Sequence, residues 1–195
     1  VAIPVLYKKN NNANINIIYH QYGFVQNNYN KGEFLEDAVD SLVDIKGKIF
    51  PLGGSFEIWS LSKILGSLGG GIIWCKSKKI SEQIKKIRDR RKIFTNCSWF
   101  LKILSIKFNF LSSFWQGIES LGGPIPNWML KHIQKDIEDW DFVVSKRRKR
   151  YKILKDFIPT WLKVDINRIP CALPVALSKT KIQYIENMGF VYGHR

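Results

Sequence analysis

The feature that most constrains the fold is a series of short runs in the first 75 residues, each holding at least two consecutive apolar residues and bounded by polar or glycine-containing segments. The runs lie at 15–19, 33–37, 55–59 and 69–75. They are too short for stable helices, and β-branched and aromatic residues are common in them, which indicates strands. The fourth run, Gly69–Cys75, is apolar at successive positions, which is typical of a central strand covered on both faces.

Longer amphipathic patterns follow these runs and predict helices. They lie at 81–88, 98–118, 128–154 and 180–188, and Pro159 is expected to end the third. Ser77 or Ser81 is placed to cap the first. Short strands interleaved with helices predict an α/β fold, with a mostly parallel sheet and flanking helices.

The formal net charge of +15 raises the question of a polyanionic partner, because a basic surface attracts phosphate. The densest basic run is Lys146–Arg150, within the third predicted helix. A basic polyanion-binding module built on this run is one alternative function. A charge run on a helix is usually a solvated face, and the chain contains no recognisable nucleic-acid module, so we expect no specific nucleic-acid partner.

The cysteines and histidines indicate a reducing compartment and no metal site. The cysteines are odd in number and far apart, which argues against a disulfide framework and favours the cytoplasm. The histidines do not fall at metal-ligand spacing with them. The most apolar stretch, 97–118, contains Lys102 and Lys107, so it predicts a core or partner-facing helix rather than a membrane span.

Two polar segments directly follow predicted strands. One is Glu36–Asp40 (EDAVD), and the other is Ser60–Lys63 (SLSK). Ligands in open α/β sheets bind at the carboxyl ends of the strands, so we expect the two segments to form one site. Lys63 is the only lysine of the apolar segment 53–74, where an ammonium either reaches water or serves as a reactive amine.

These segments resemble, in their order along the chain, the pyridoxal-phosphate-dependent sugar aminotransferases of the DegT/StrS type, which are fold-type I aminotransferases. The matching segments are His20–Gly23 (HQYG), Leu35–Leu42 (LEDAVDSL), Ser60–Lys63, Gly69–Arg91 and Arg147–Tyr151. The resemblance implies an enzyme whose cofactor is pyridoxal phosphate. It also implies a homodimer, a nucleotide-linked keto-sugar as substrate and glutamate as amino donor.

The resemblance assigns a role to each candidate residue. Lys63 would hold the cofactor's aldehyde as a Schiff base, with its amine kept reactive by partial desolvation. Asp37 would pair with the ring nitrogen, and the hydroxyls of Ser60 and Ser62 would donate to the phosphate. Asp40 would face the cofactor's phenolic oxygen, where the family has Gln or His, and an ionised carboxylate there would repel that oxygen.

The resemblance also predicts the domain organisation. Residues 1–145 are expected to form part of the large domain, and residues 146–195 the linking helix and the start of a small C-terminal domain. The family's phosphate-binding glycine turn would precede Val1, so we expect a partial chain. A non-catalytic or truncated aminotransferase-like protein is therefore a second alternative function.

Overall fold

A computed structural model describes residues 15–25, 33–44, 47–90, 92–111, 123–159, 167–174 and 179–189. It contains a four-stranded sheet and a two-stranded ribbon. The strands are β1 Asn16–Tyr19, β2 Phe34–Asp37, β3 Ser41–Val43, β4 Phe56–Ser60, β5 Gly71–Cys75 and β6 Arg168–Pro170.

The sheet has the strand order β1-β2-β4-β5. Strands β1, β2 and β4 run parallel, and β5 runs antiparallel to β4. Strands β3 and β6 form the separate antiparallel ribbon. The prediction of a mixed α/β structure with a mostly parallel sheet and flanking helices is confirmed. Three of the four predicted strands coincide with parallel strands of this sheet.

The prediction that the fourth run is a central strand is wrong for the described part of the chain. There β5 pairs with β4 alone, and its Ile73 and Trp74 are exposed. The cause is the short connection from β4 to β5, residues 61–70. A parallel crossover needs about a dozen residues or more, so this connection returns the chain antiparallel, at the edge of the described sheet.

Six α-helices are described; five of them lie in the four predicted helical segments, and α1 was not predicted. They are α1 Leu61–Leu65, α2 Lys78–Asp89, α3 Lys92–Lys107, α4 Asn127–Glu138, α5 Trp140–Leu154 and α6 Lys179–Asn187. Ser77 caps α2, because its Oγ accepts a hydrogen bond from the Ile80 N–H at 3.4 Å. Helix α3 begins earlier than predicted, and residues 112–118 of that prediction lie outside the described residues.

The predicted single helix over 128–154 is two helices, separated at Asp139. Their buried residues belong to different apolar clusters. Met129 and Ile133 of α4 pack with Leu61, whereas Val144 of α5 packs in a cluster with Trp59. The Trp140 ring stacks on Trp59 with ring centroids 6.1 Å apart. The apolar residues of α4 and α5 therefore pack in different clusters, and the helix is interrupted between them at Asp139.

The ribbon of β3 and β6 joins the two predicted domains by backbone hydrogen bonds, with Leu42 paired to Ile169. The side chain of Arg168 in β6 also reaches Glu57 in β4, with Nη2 at 2.9 Å from Oε1. These contacts bring residues near 170 against the sheet. The division into 1–145 and 146–195 stays a prediction.

Candidate functional site

The candidate site lies at the carboxyl ends of the three parallel strands. His20 follows β1, Asp37 is the last residue of β2, and Ser60 is the last residue of β4. Backbone hydrogen bonds continue across this edge, since His20 N–H donates to the Asp37 carbonyl at 2.8 Å. The edge is where a ligand is expected in a parallel sheet, because the strands end there and the connecting loops supply side chains.

Helix α1 carries Lys63 at this edge. Leu61 and Ile64 are buried and hold the helix to the protein, whereas Ser62 and Lys63 point outward. Gly66 ends the helix in the left-handed conformation, with φ of 73°. Glycine adopts that conformation without steric cost, so the chain can turn sharply after a single helical turn.

Lys63 forms an ion pair with Asp40. Its Nζ lies 2.6 Å from Asp40 Oδ1, and the exposed fractions of the two side chains are 44% and 6%. Asp40 Oδ2 is buried and has no hydrogen-bond partner in the described part of the chain. The sequence interpretation placed Lys63 in an apolar, partly desolvated environment. The structure instead gives it a carboxylate partner and access to water.

Asp37 lies near the same lysine. Burial raises the pKa of Asp37 above its ordinary value, while a hydrogen bond from the Val39 N–H and the charges of Lys63 and His20 lower it by less. Asp37 Oδ1 accepts that Val39 hydrogen bond at 3.1 Å. The site therefore contains two carboxylates in different environments, one paired with the lysine and one partly desolvated.

The two predicted serines contact each other. Ser60 Oγ and Ser62 Oγ are 3.0 Å apart, on the exposed side of the β4–α1 junction. The Ser60 hydroxyl does not cap α1. Both hydroxyls are therefore accessible next to Lys63 in the sequence and at the same strand end.

Two residues from distant parts of the chain complete the surroundings of the lysine. Arg147 Nη2 donates to the carbonyls of Lys63 and Ile64, at 2.8 and 2.5 Å. Cys171 N–H donates to the Asp40 carbonyl at 2.8 Å. Burial raises the pKa of the Cys171 thiol to about 11, and the charges of Arg147, Asp40 and Lys63 all act on that thiol. The sequence contains no local signal for this convergence.

Glu36 points away from the site, as expected from the alternation of side chains along a strand. It is buried and contacts His20, with Oε2 2.8 Å from Nε2. Burial raises the pKa of Glu36, but hydrogen bonds from His20, Gly54 N–H and Leu52 N–H outweigh burial and place it below its ordinary value. His20 and Glu36 thus form a structural pair beneath the site.

A cavity of about 690 Å³ lies beside β5. Its wall includes Gly71, which pairs with Ser60 across the β4–β5 hairpin. The rings of Trp99 and Trp128 supply apolar surface, and the side chain of Asn96 is among the polar groups. Its volume is within the usual range for small-molecule sites.

Comparison with known proteins identifies the family. A family model described as "Putative PLP-dependent aminotransferase" matches residues 5–191. The chain belongs to that family. No curated protein and no solved structure matches the chain. Family membership implies that the cofactor of this aminotransferase is pyridoxal phosphate, as the sequence predicted.

The residues at the strand edge fit this cofactor. Pyridoxal phosphate requires an amine to hold its aldehyde and a carboxylate to keep its ring nitrogen protonated, and it supplies an electron sink. Lys63 would provide the amine, and Asp37 or Asp40 the carboxylate, within one site. The buried, unpartnered Asp40 Oδ2 leaves acceptor capacity unused in the described structure.

None of the described helices is long and apolar enough to cross a lipid bilayer. Across the same residues, no cluster of three or more His, Cys, Asp or Glu side chains is arranged to hold a metal ion.

Proposed function

We propose that this aminotransferase holds pyridoxal phosphate as a Schiff base on Lys63, with Asp37 on the ring nitrogen, Asp40 beside the phenolic oxygen and the Ser60 and Ser62 hydroxyls on the phosphate. The proposal includes the fold-type I architecture implied by the sequence resemblance. In the reaction, the amine of Lys63 is the group that moves a proton at the substrate carbon.

One observation carries this proposal. Lys63 lies in the β4–β5 connection, at the carboxyl edge of the parallel strands, and its Nζ is 2.6 Å from a carboxylate of the neighbouring β2–β3 turn. Asp37 is the last residue of the strand before that turn, and the charge of Lys63 acts to lower the pKa of Asp37. An amine and two carboxylates at a strand edge are the groups that the cofactor's aldehyde and ring nitrogen require.

The test is a titration with pyridoxal phosphate, followed by borohydride reduction and peptide mass spectrometry. Reduction is expected to fix one cofactor on the peptide that contains Lys63, and Lys63→Ala is expected to abolish that adduct. Lys76→Ala is the matched control, because Lys76 is a nearby lysine whose Nζ donates to the Gly53 carbonyl at 2.6 Å. Scattered modification of surface lysines such as Lys78 and Lys79 would contradict the assignment.

We propose a keto-sugar, carried on a nucleotide, as the substrate class and glutamate as the amino donor. The sequence resemblance is the main support. The cavity beside β5 adds to it, because the indole rings of Trp99 and Trp128 and the amide of Asn96 suit a ligand with apolar faces and hydroxyl groups. Spectroscopic half-reactions with keto-sugars and with simple keto-acids distinguish this class from ordinary amino-acid aminotransferases.

We propose that the protein is a homodimer, and that it functions in the cytoplasm. Helix α3 supports the first statement, because Phe100 and Ile106 on it are 63% and 64% exposed. Exposed apolar side chains of this size mark interaction surfaces when they are grouped. The three cysteines are free, which supports a reducing compartment. Light scattering of the wild type and of Phe100→Ser tests the dimer.

The polyanion-binding alternative is weakened by where the basic run points. Arg147 donates to backbone carbonyls of α1, and Arg148 forms an ion pair with Asp44. Lys146, Lys149 and Arg150 remain exposed on α5. A run whose central arginines bind the protein itself presents a smaller basic surface than its sequence suggests. Salt-dependent binding to a polyanion, lost on replacing these three exposed residues, would support the alternative.

A further inference from the structure

We propose that Asp40 is a positioning residue for Lys63, and that its ion pair with the lysine holds the side chain at the strand edge until the cofactor arrives. The inference rests on the proposed role of Lys63, and it concerns the contact between Asp40 and this lysine. In the sequence interpretation, Asp40 faced the cofactor's phenolic oxygen. In the structure its Oδ1 lies 2.6 Å from Lys63 Nζ.

The backbone around Asp40 fixes its carboxylate in place. Cys171 N–H donates to the Asp40 carbonyl at 2.8 Å, and Ser41 N–H donates to the Ala38 carbonyl at 3.2 Å, closing the turn that carries Asp40. Only 6% of the Asp40 side chain is exposed, so water competes little for it. The lysine is the more exposed partner, because it lies on the outer side of the one-turn helix α1.

The backbone of Lys63 is also held. Arg147 Nη2 donates to the carbonyls of Lys63 and Ile64, which fixes the end of α1. Among the described residues, the carboxylates linked to the Lys63 ammonium are Asp40, by contact, and Asp37, by charge. A carboxylate in contact restrains the lysine nitrogen, and that nitrogen must leave the carboxylate before it can attack an aldehyde. Breaking this ion pair frees the lysine.

The experiment measures amine reactivity in the cofactor-free protein. Lysines are acetylated competitively with trace isotopic acetic anhydride near neutral pH, and mass spectrometry compares Lys63 with Lys76. Lys76 is the internal reference because its Nζ contacts a carbonyl oxygen rather than a carboxylate. A partly exposed ion pair changes an equilibrium constant by up to about fivefold. We therefore expect Lys63 to be acetylated up to about fivefold more slowly than Lys76.

Asp40→Asn is expected to remove most of that difference, with Lys76 unchanged. Asp44→Asn is the matched control, since Asp44 is a buried carboxylate of the same region paired with Arg148. It is expected to leave the ratio as in the wild type. Circular dichroism verifies folding, and Asp40→Ala serves if the first variant does not fold.

Equal reactivity of Lys63 and Lys76 in the wild type would overturn the inference, and so would an equal effect of Asp44→Asn. The ratio is measured without pyridoxal phosphate, so its outcome is independent of borohydride fixation. If Lys63 is acetylated slowly in an Asp40-dependent way but borohydride fixes no cofactor on it, the proposed function alone is contradicted. If borohydride fixes the cofactor on Lys63 but Asp40→Asn does not change the acetylation ratio of Lys63 to Lys76, this inference alone is contradicted.

Discussion

Glu36 and Glu57 are paired in register on the neighbouring strands β2 and β4, and both are buried. Two carboxylates side by side beneath a sheet repel each other unless each has its own partner. Glu36 contacts His20 and backbone N–H groups, and Glu57 contacts Arg168 and the Trp59 Nε1–H. The floor of the candidate site therefore contains two buried carboxylates, each with its own hydrogen-bond partners, which has consequences for stability.

Acid should destabilise the protein partly through Glu36. The pKa of Glu36 in the folded protein lies below its ordinary value of 4.5. Its contribution to stability is therefore complete above that value and is lost as the pH falls through the lowered pKa. Urea unfolding of Glu36→Gln is expected to show about 1–3 kcal/mol lower stability at pH 7. It should also show a shallower loss of stability than the wild type as the pH falls below 4.5. A parallel pH dependence in wild type and variant would contradict this.

Arg168 should be among the most sensitive positions for stability. Its guanidinium is buried and donates to Glu57 Oε1 at 2.9 Å and to the Lys48 carbonyl at 2.6 Å. Arg168→Met leaves Glu57 as an uncompensated buried charge, with an expected cost of about 3–5 kcal/mol. Arg88→Met is the control, because the Arg88–Asp89 pair is exposed and should change stability by less than about 1 kcal/mol. Urea unfolding measures both.

Asp37→Asn should affect stability and cofactor binding in opposite directions. The raised pKa of Asp37 means that its ionised form is disfavoured in the folded protein, so stability falls as the pH rises through its titration. The cofactor-free variant is therefore expected to melt higher than the wild type at pH 7.

The same variant should bind pyridoxal phosphate about 10–100-fold more weakly, because a charge-assisted hydrogen bond to the ring nitrogen is lost. Absorbance titration measures the affinity, and calorimetry the melting temperature. Glu82→Gln, an exposed change of the same kind on α2, is the control and should alter neither. Unchanged affinity in Asp37→Asn would remove Asp37 from the cofactor site.

Asp40→Gln should leave cofactor retention unchanged or tighten it by up to about fivefold. The substitution removes the ion pair that holds Lys63 and the carboxylate that would repel the cofactor's phenolic oxygen. Dialysis of the loaded protein, followed by absorbance, measures retention. A clear loss of cofactor would show that Asp40, rather than Asp37, is the partner of the ring nitrogen.

The parallel strands were predictable because each has a local signature. β1, β2 and β4 each contain consecutive apolar residues and are followed by polar segments, and the ends of these strands indicated Asp37 and Lys63 as site residues. Strands β3 and β6 have three residues each and were missed, because only their pairing across the chain makes them strands. A three-residue run carries too little periodicity to be recognised.

The contacts of the candidate site were less predictable than its position. The sequence predicted that Asp40 and Lys63 lie at the same edge of the sheet. Which side chain forms an ion pair with Lys63, however, depends on the geometry of the turn at Asp40. Arg147 belonged to a basic run with no sign that it would bind the carbonyls of α1. The break at Asp139 was also hidden, because two apolar clusters, rather than a helix-breaking residue, divide the helix.

The short β4–β5 connection has a consequence for the order in which the molecule assembles. Leu61 N–H bonds the Gly70 carbonyl and Lys76 N–H bonds the Ser55 carbonyl, so the segment that carries Lys63 closes through neighbours in sequence. The contacts from Arg147 and Cys171 must close much longer loops, at a greater entropic cost. Local contacts form fastest. We infer that the hairpin presents the lysine early in folding, and that the distant segments then close around an amine already in place.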